Sequence, residues 1–206
     1  MTENQALIDC EVVPAGTEVR VSPDVPVAFT FAFACYGLRI GIALEDASWS
    51  ETIVACLPPG WTEIQQTNLD RTYRIELQVD NLPHGLPSGV RLMAGETFAA
   101  WAPRVDLIMD SLESQLQMYL AEFASPFLFV HAGVVSWQGK LILLPGSSFA
   151  GKSTLVTALV DAGATYYSDE YAVLDHNGRV IPYPRRISLR EGPLGPARRV
   201  EVAEVS

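Results

Sequence analysis

The apolar run Leu141-Ile142-Leu143-Leu144-Pro145 leads directly into Gly146-Ser147-Ser148-Phe149-Ala150-Gly151-Lys152-Ser153, a complete G-x-x-x-x-G-K-S pattern. That order dictates a strand, a tight loop and a helix. Gly146 and Gly151 permit a backbone path that turns the N–H groups of Ser147, Ser148, Phe149, Ala150 and Thr154 toward one centre, which is how a phosphate is cradled. Lys152 can reach the outer phosphates as a point charge, and the Ser153 hydroxyl is placed to hold magnesium. Leu155, Val156, Leu159 and Val160 follow at helical spacing, and Gly163 stands where a C-terminal cap belongs. The helix aims its positive end at the same phosphates. The pattern carries weight only between a strand and a helix, and both flanks are present here.

The chain has 206 residues and a formal net charge of -10. Such a length suits one moderate domain, or a core with a smaller appendage. The acidic balance excludes a general binder of nucleic acids or anionic membranes. A nucleotide site survives that objection, because it depends on local backbone dipoles and one lysine. Cys10, Cys35 and Cys56 form no C-x-x-C pair, so neither a disulfide framework nor a cysteine-rich zinc site is expected. Met1-Thr2-Glu3-Asn4 lacks the basic start of a signal peptide, and a cytoplasmic setting is expected. The most apolar stretch, residues 25–44, is broken by Gly37, Arg39 and Gly41 and reads as buried strands.

The predicted fold class is α/β with a mixed sheet, in two parts. Residues 1–102 read as a β-rich lobe with candidate strands at 30–44, 52–56, 73–79 and 90–93, separated by Pro- and Gly-rich turns. In the third of these, Arg74, Glu76 and Gln78 alternate with Tyr73, Ile75, Leu77 and Val79, as in a half-exposed strand. Residues 103–206 read as the phosphate-loop core. It opens on an amphipathic helix, with Val105, Ile108, Leu112, Leu116, Tyr119, Leu120 and Phe123 on one stripe, Pro103 at its start and Ser125-Pro126 at its stop. Strands at 127–131 and 134–137, a Gln138-Gly139 turn and the strand before the loop imply a hairpin feeding the phosphate site. After the loop helix, residues 165–168 form a strand ending in Asp169-Glu170, residues 171–174 continue it, and Asn177-Gly178 turns the chain.

His131-Ala132-Gly133-Val134, the Gly146 to Ser153 loop and Asp169-Glu170, in that order and spacing, resemble the catalytic core of the HPr kinase/phosphorylase family. The resemblance covers about residues 128–190. It implies a phosphoenolpyruvate carboxykinase-like P-loop fold with mixed strand directions, and transfer of the terminal phosphate of ATP, with Mg2+, to a serine of a small protein or peptide. By that resemblance Asp169 is the general base that draws the serine proton, and Glu170, standing where the family has a second Asp, positions magnesium with Ser153. His131 acquires a phosphate-contacting or proton-handling role. The family places a further catalytic segment and C-terminal helices beyond this core, and no counterpart is expected before Ser206. Assembly into homo-oligomers is also implied.

The residues alone leave other readings open. Asp169-Glu170 could be an acidic turn, although the loop upstream favours a site. A lone histidine on an apolar strand is more often a satisfied core residue. Arg185, Arg186 and Arg190 read as a solvated basic edge before they read as a substrate-steering patch, and Tyr183 between two prolines is a candidate support for a nucleotide base. A nucleotide hydrolase, a small-molecule kinase and a non-catalytic nucleotide-binding module all remain compatible with the loop.

Overall fold

The computed structural model describes residues 29–65, 68–78, 88–185, 187–190 and 197–200. Cys10, Val79, Arg186 and the turns at 81–83 and 86–87 lie outside the described residues. The protein is mixed α/β, and the chain divides into two compact units, Met1–Leu120 and Ala121–Ser206.

In the first unit, β1 (Phe29–Cys35) and β2 (Leu38–Leu44) form an antiparallel hairpin closed by Tyr36 and Gly37, both at positive φ, the turn geometry that suits the twist of the flanking strands. Residues 29–44 of the apolar stretch are therefore two strands, with Phe33, Cys35, Ile40, Ile42 and Leu44 buried, and no described helix is long and apolar enough to cross a membrane. β3 (Thr62–Glu63) pairs with β1, β4 (Arg71–Gln78) runs parallel to β2, and β5 (Gly89–Ala94) and β6 (Thr97–Ala102) follow antiparallel. The order is β3-β1-β2-β4-β5-β6.

Two expectations fail in this unit. Residues 52–56 are not a strand: α1 (Ser50–Val54) is helical, following a short 3₁₀ turn whose N-cap, Asp46, accepts from the Ser48 N–H at 2.8 Å. That cap starts a helical turn which overrides the strand preference of Thr52-Ile53-Val54. The alternation along β4 also breaks, since Glu76 is 2% exposed whereas Leu77 is 46% exposed. Glu76 is held inside by the guanidinium of Arg91 and by Arg74, with Arg74 Nε 3.4 Å from Glu76 Oε1. A carboxylate is buried only with such partners.

The long helix α2 (Val105–Phe123) buries Ile108, Leu112, Leu116 and Leu120 of the expected stripe together with Met109, whereas Phe123, expected on the same stripe, is exposed at the helix end. It belongs mostly to the first unit rather than opening the second, so the division falls later than the expected 102/103. The Tyr73 hydroxyl reaches the Gln115 carbonyl, Tyr119 reaches the Asp70 carbonyl, and the Arg71 guanidinium lies over the Tyr119 ring. These contacts tie the helix to β4.

The second unit is organised around β7 (Leu128–Trp137), one continuous strand where two shorter ones were expected. Its antiparallel partners are β8 (Lys140–Pro145) on one side and β9 (Thr165–Ser168) and β10 (Tyr171–Leu174) on the other. Gln138 and Gly139, both at positive φ, close the β7–β8 hairpin. β11 (Val180–Ile181) pairs with β10 beyond the Asn177-Gly178 turn, and β12 (Ile187–Arg190) pairs with β13 (Ala197–Val200). α3 (Lys152–Asp161) packs on β7 through Val156 and Val160, which join Val135, Ala164 and Ile187 in a buried cluster. Burial of each valine or isoleucine side chain contributes about 1.5–3 kcal/mol.

Candidate functional site

The phosphate-loop sequence sits between β8 and α3, as its flanks require, with Ser147, Ser148, Phe149 and Ala150 exposed. Gly151, at φ +83°, is the N-cap residue of α3 and provides no side-chain cap, and the first turn carries no acidic residue. The positive helix end is thus not neutralised by its own side chains. At the other end Gly163 N–H donates to the Val160 carbonyl and Ala164 N–H to the Leu159 carbonyl, the paired bonds of a glycine-terminated helix. Lys152 Nζ donates to the carbonyls of Gly146 and Ser147, each at 2.9 Å, which keeps the ammonium across the mouth of the loop.

Phe149 adopts φ +67° and is 68% exposed. A bulky side chain in the left-handed region is strained by about 1–2 kcal/mol, and this ring recovers little by burial. Phe149→Gly is therefore expected to stabilise the fold by about 0.5–1 kcal/mol after the flexibility of glycine in the unfolded chain is deducted. Chemical denaturation measures it, and a loss of stability would refute the strain.

β7 carries the site between its two edges. The loop departs from Pro145, opposite Ala132, while the Ala132 N–H on the same strand donates to the Glu170 carbonyl at 3.1 Å. Gly133 lies between, and a Cβ there would meet Val156 Cγ2 at 2.5 Å. Its lack of a side chain lets α3 approach the strand. Gly133→Ala is expected to cost about 1–3 kcal/mol by overpacking against a stiff β-branched neighbour. In denaturant unfolding, Gly133→Ala combined with Val156→Ala is expected to lose less than the two separate costs; strict additivity would rule out the clash.

The strand that follows α3 brings the carboxylates to the loop. Asp169 is 4% exposed, with Oδ2 receiving the Ser153 hydroxyl at 3.3 Å and Oδ1 receiving the Tyr166 hydroxyl at 3.0 Å. The Tyr166 oxygen is also 3.0 Å from the Arg185 carbonyl. Burial, reinforced by the Asp169 charge, holds the Tyr166 phenol well above its ordinary range, so it is a neutral donor. Glu170 is half-buried, its Oε1 3.8 Å from His131 Nδ1. Burial pushes the Glu170 carboxyl up; His131 and Lys152 oppose that shift and Asp169 adds to it. The Ser168 hydroxyl accepts from the N–H groups of Glu170 and Tyr171 and fixes the bend between β9 and β10.

Ser153 therefore meets Asp169, whereas Glu170 meets His131. Tyr183 is fully buried, edge-on to Phe129 and Tyr171, and presents no face to a nucleotide base. Arg185 contributes its carbonyl to the site, and Arg190 is placed by its backbone in β12. Tyr166 is the contact that sequence reading missed.

Among the described residues no group of three or more His, Cys, Asp or Glu side chains is arranged to hold a metal. A nucleotide-bound magnesium needs fewer, because it takes one or two protein oxygens and completes its shell with phosphate and water. Its octahedral bonds of about 2.0–2.1 Å separate neighbouring oxygens by about 3 Å, and the 3.3 Å between Ser153 Oγ and Asp169 Oδ2 fits two such ligands. No known family model matches the chain, and no curated protein or solved structure was found to be similar to it.

Proposed function

We propose that this chain is an ATP- and Mg2+-dependent phosphotransferase of the HPr kinase type, with a carboxykinase-like P-loop core, acting on a serine of a small protein or peptide. The observation that carries the reading is the Ser153–Asp169 contact, which brings a buried carboxylate from a separate strand onto the serine of the phosphate loop. A chance sequence match would have no reason to be completed in this way.

Loop amides and the start of α3 hold the phosphates, and Lys152 reaches the outer ones. Bound magnesium would offset phosphate charge beside Ser153. Asp169 and Glu170 divide two tasks: one holds the metal with Ser153, the other takes the proton as the serine oxygen attacks the terminal phosphorus and the bond to the ADP oxygen breaks. Resemblance assigns the proton to Asp169 and the metal to Glu170. The Ser153–Asp169 contact supports the opposite division, since both Asp169 oxygens are already engaged and the residue is buried, while Glu170 is more open and adjoins His131.

The test is to incubate the full chain with Mg2+ and ATP labelled in the terminal phosphate, against an array of serine peptides and folded small proteins. Label on serine is the expected result. Label released only as inorganic phosphate makes the protein a hydrolase, label on a metabolite makes it a small-molecule kinase, and binding without either makes it a regulatory module.

A further inference from the structure

Tyr166 and Asp169 are three residues apart, a spacing that puts side chains on opposite faces of a regular strand. They meet because the pairing of β9 with β7 slips between Val134 and Val135: Tyr166 stands opposite Val135, and Ser168 opposite Val134. The extra residue, Tyr167, has no partner in the ladder and packs against Ala132, Val134 and Ala172, and Asp169, in the bend after β9, comes to the side that carries the Tyr166 hydroxyl. A bulge of this kind re-aims a side chain at a local cost in ladder hydrogen bonding. Its effect here is to place a phenol on the carboxylate that touches Ser153. The Tyr166 ring packs against the cluster of Val135, Val156, Val160, Ala164 and Ile187, and that packing fixes the hydroxyl.

The hydroxyl has one hydrogen and two acceptors at equal distance, Asp169 Oδ1 and the Arg185 carbonyl. The charged carboxylate is the stronger acceptor and takes that hydrogen; the neighbouring segment 182–185 is anchored separately by the Tyr183 N–H on the Tyr167 carbonyl at 3.0 Å.

We propose that Tyr166 is a positioning residue, whose hydroxyl holds the Asp169 carboxylate against Ser153. The inference rests on the nucleotide reading above and adds a residue which that reading does not require. Tyr166 touches no reacting atom; it acts through Asp169. Outer partners of this kind set ligand orientation, and their loss typically lowers metal affinity or activity about 10- to 100-fold.

Tyr166→Phe in the full chain keeps the ring and deletes only the hydroxyl, and thermal melting verifies that the variant folds. Mn2+ serves as a paramagnetic probe, titrated with and without ATP, alongside the rate of ATP turnover. The expected result is Mn2+ affinity at least about tenfold weaker in the presence of ATP, with a lower kcat and an ATP KM unchanged within about twofold. A purely structural role would move the melting temperature and leave Mn2+ affinity alone; that outcome, or wild-type values throughout, overturns the proposal while leaving nucleotide binding intact. Failure of the unaltered chain to bind ATP and Mn2+ overturns the nucleotide reading itself, and this proposal with it.

Discussion

Asp169→Asn is expected to lower phosphoryl transfer by about 10²- to 10⁴-fold, the usual range for removing a positioned carboxylate from such a site. The substitution is nearly isosteric. An amide oxygen can still accept from Tyr166, and the amide N–H can turn to the Ser153 oxygen, so both contacts of the buried side chain are retained in altered form. What disappears is the charge. ATP affinity measured without metal is expected to stay within about twofold, because phosphate binding rests on the loop amides and Lys152. A matched Glu170→Gln variant assigns the two roles. If Asp169→Asn weakens Mn2+ binding and Glu170→Gln abolishes transfer with Mn2+ retained, the division favoured by the Ser153–Asp169 contact holds. The reverse pattern returns the proton to Asp169. Equal loss of metal-free ATP affinity in both variants would show that the carboxylates support the loop rather than the chemistry.

Elements whose signal is local were legible in the sequence. The strand, loop and helix around Gly146–Ser153 carry their own glycines, lysine and periodicity, and the Gly163 cap and both hairpin turns at 138–139 and 177–178 stand where the residues place them. The stripe of α2 was legible for the same reason, although its place with the first unit depends on Tyr73, Tyr119 and Arg71, residues with no sequence mark of their purpose. The failures have causes outside the segments concerned. Thr52-Ile53-Val54 has a strand composition, yet a cap at Asp46 six residues upstream sets the backbone. Glu76 reads as a solvent-facing member of an alternating strand until Arg91, on a different strand, supplies the partner that allows its burial.

The site divides in the same manner. Motif and order single out Lys152, Ser153, Asp169 and Glu170 as candidates, and a carboxylate does approach the serine of the loop. Which carboxylate approaches was not legible, because adjacent residues differ only in the direction they take from the strand. Tyr166 was hidden by the bulge at Tyr167, since strict alternation assigns it to the face opposite Asp169. Gly133 belongs to a sequence motif, but its physical reason is the 2.5 Å that would separate a Cβ from Val156, a contact made only after α3 folds back on β7.

Lys152→Ala tests the premise beneath all of this. With a net charge of -10, the protein as a whole repels a polyphosphate, and attraction has to be generated locally. Two local sources are available, the N–H groups at the start of α3 and the Lys152 ammonium, which two loop carbonyls hold at 2.9 Å. Loss of one charge-assisted hydrogen bond of this type costs about 1.5–3 kcal/mol, roughly a 10- to 150-fold rise in Kd. Because the lysine reaches the outer phosphates, that rise should be large for ATP and small for AMP, so calorimetry with both nucleotides separates lost contact from lost structure. A comparable fall for AMP would mean that the alanine variant has disordered the loop by freeing the Gly146 and Ser147 carbonyls. Unchanged ATP affinity would mean that phosphate does not bind at this loop, and the phosphotransferase reading would then have no site.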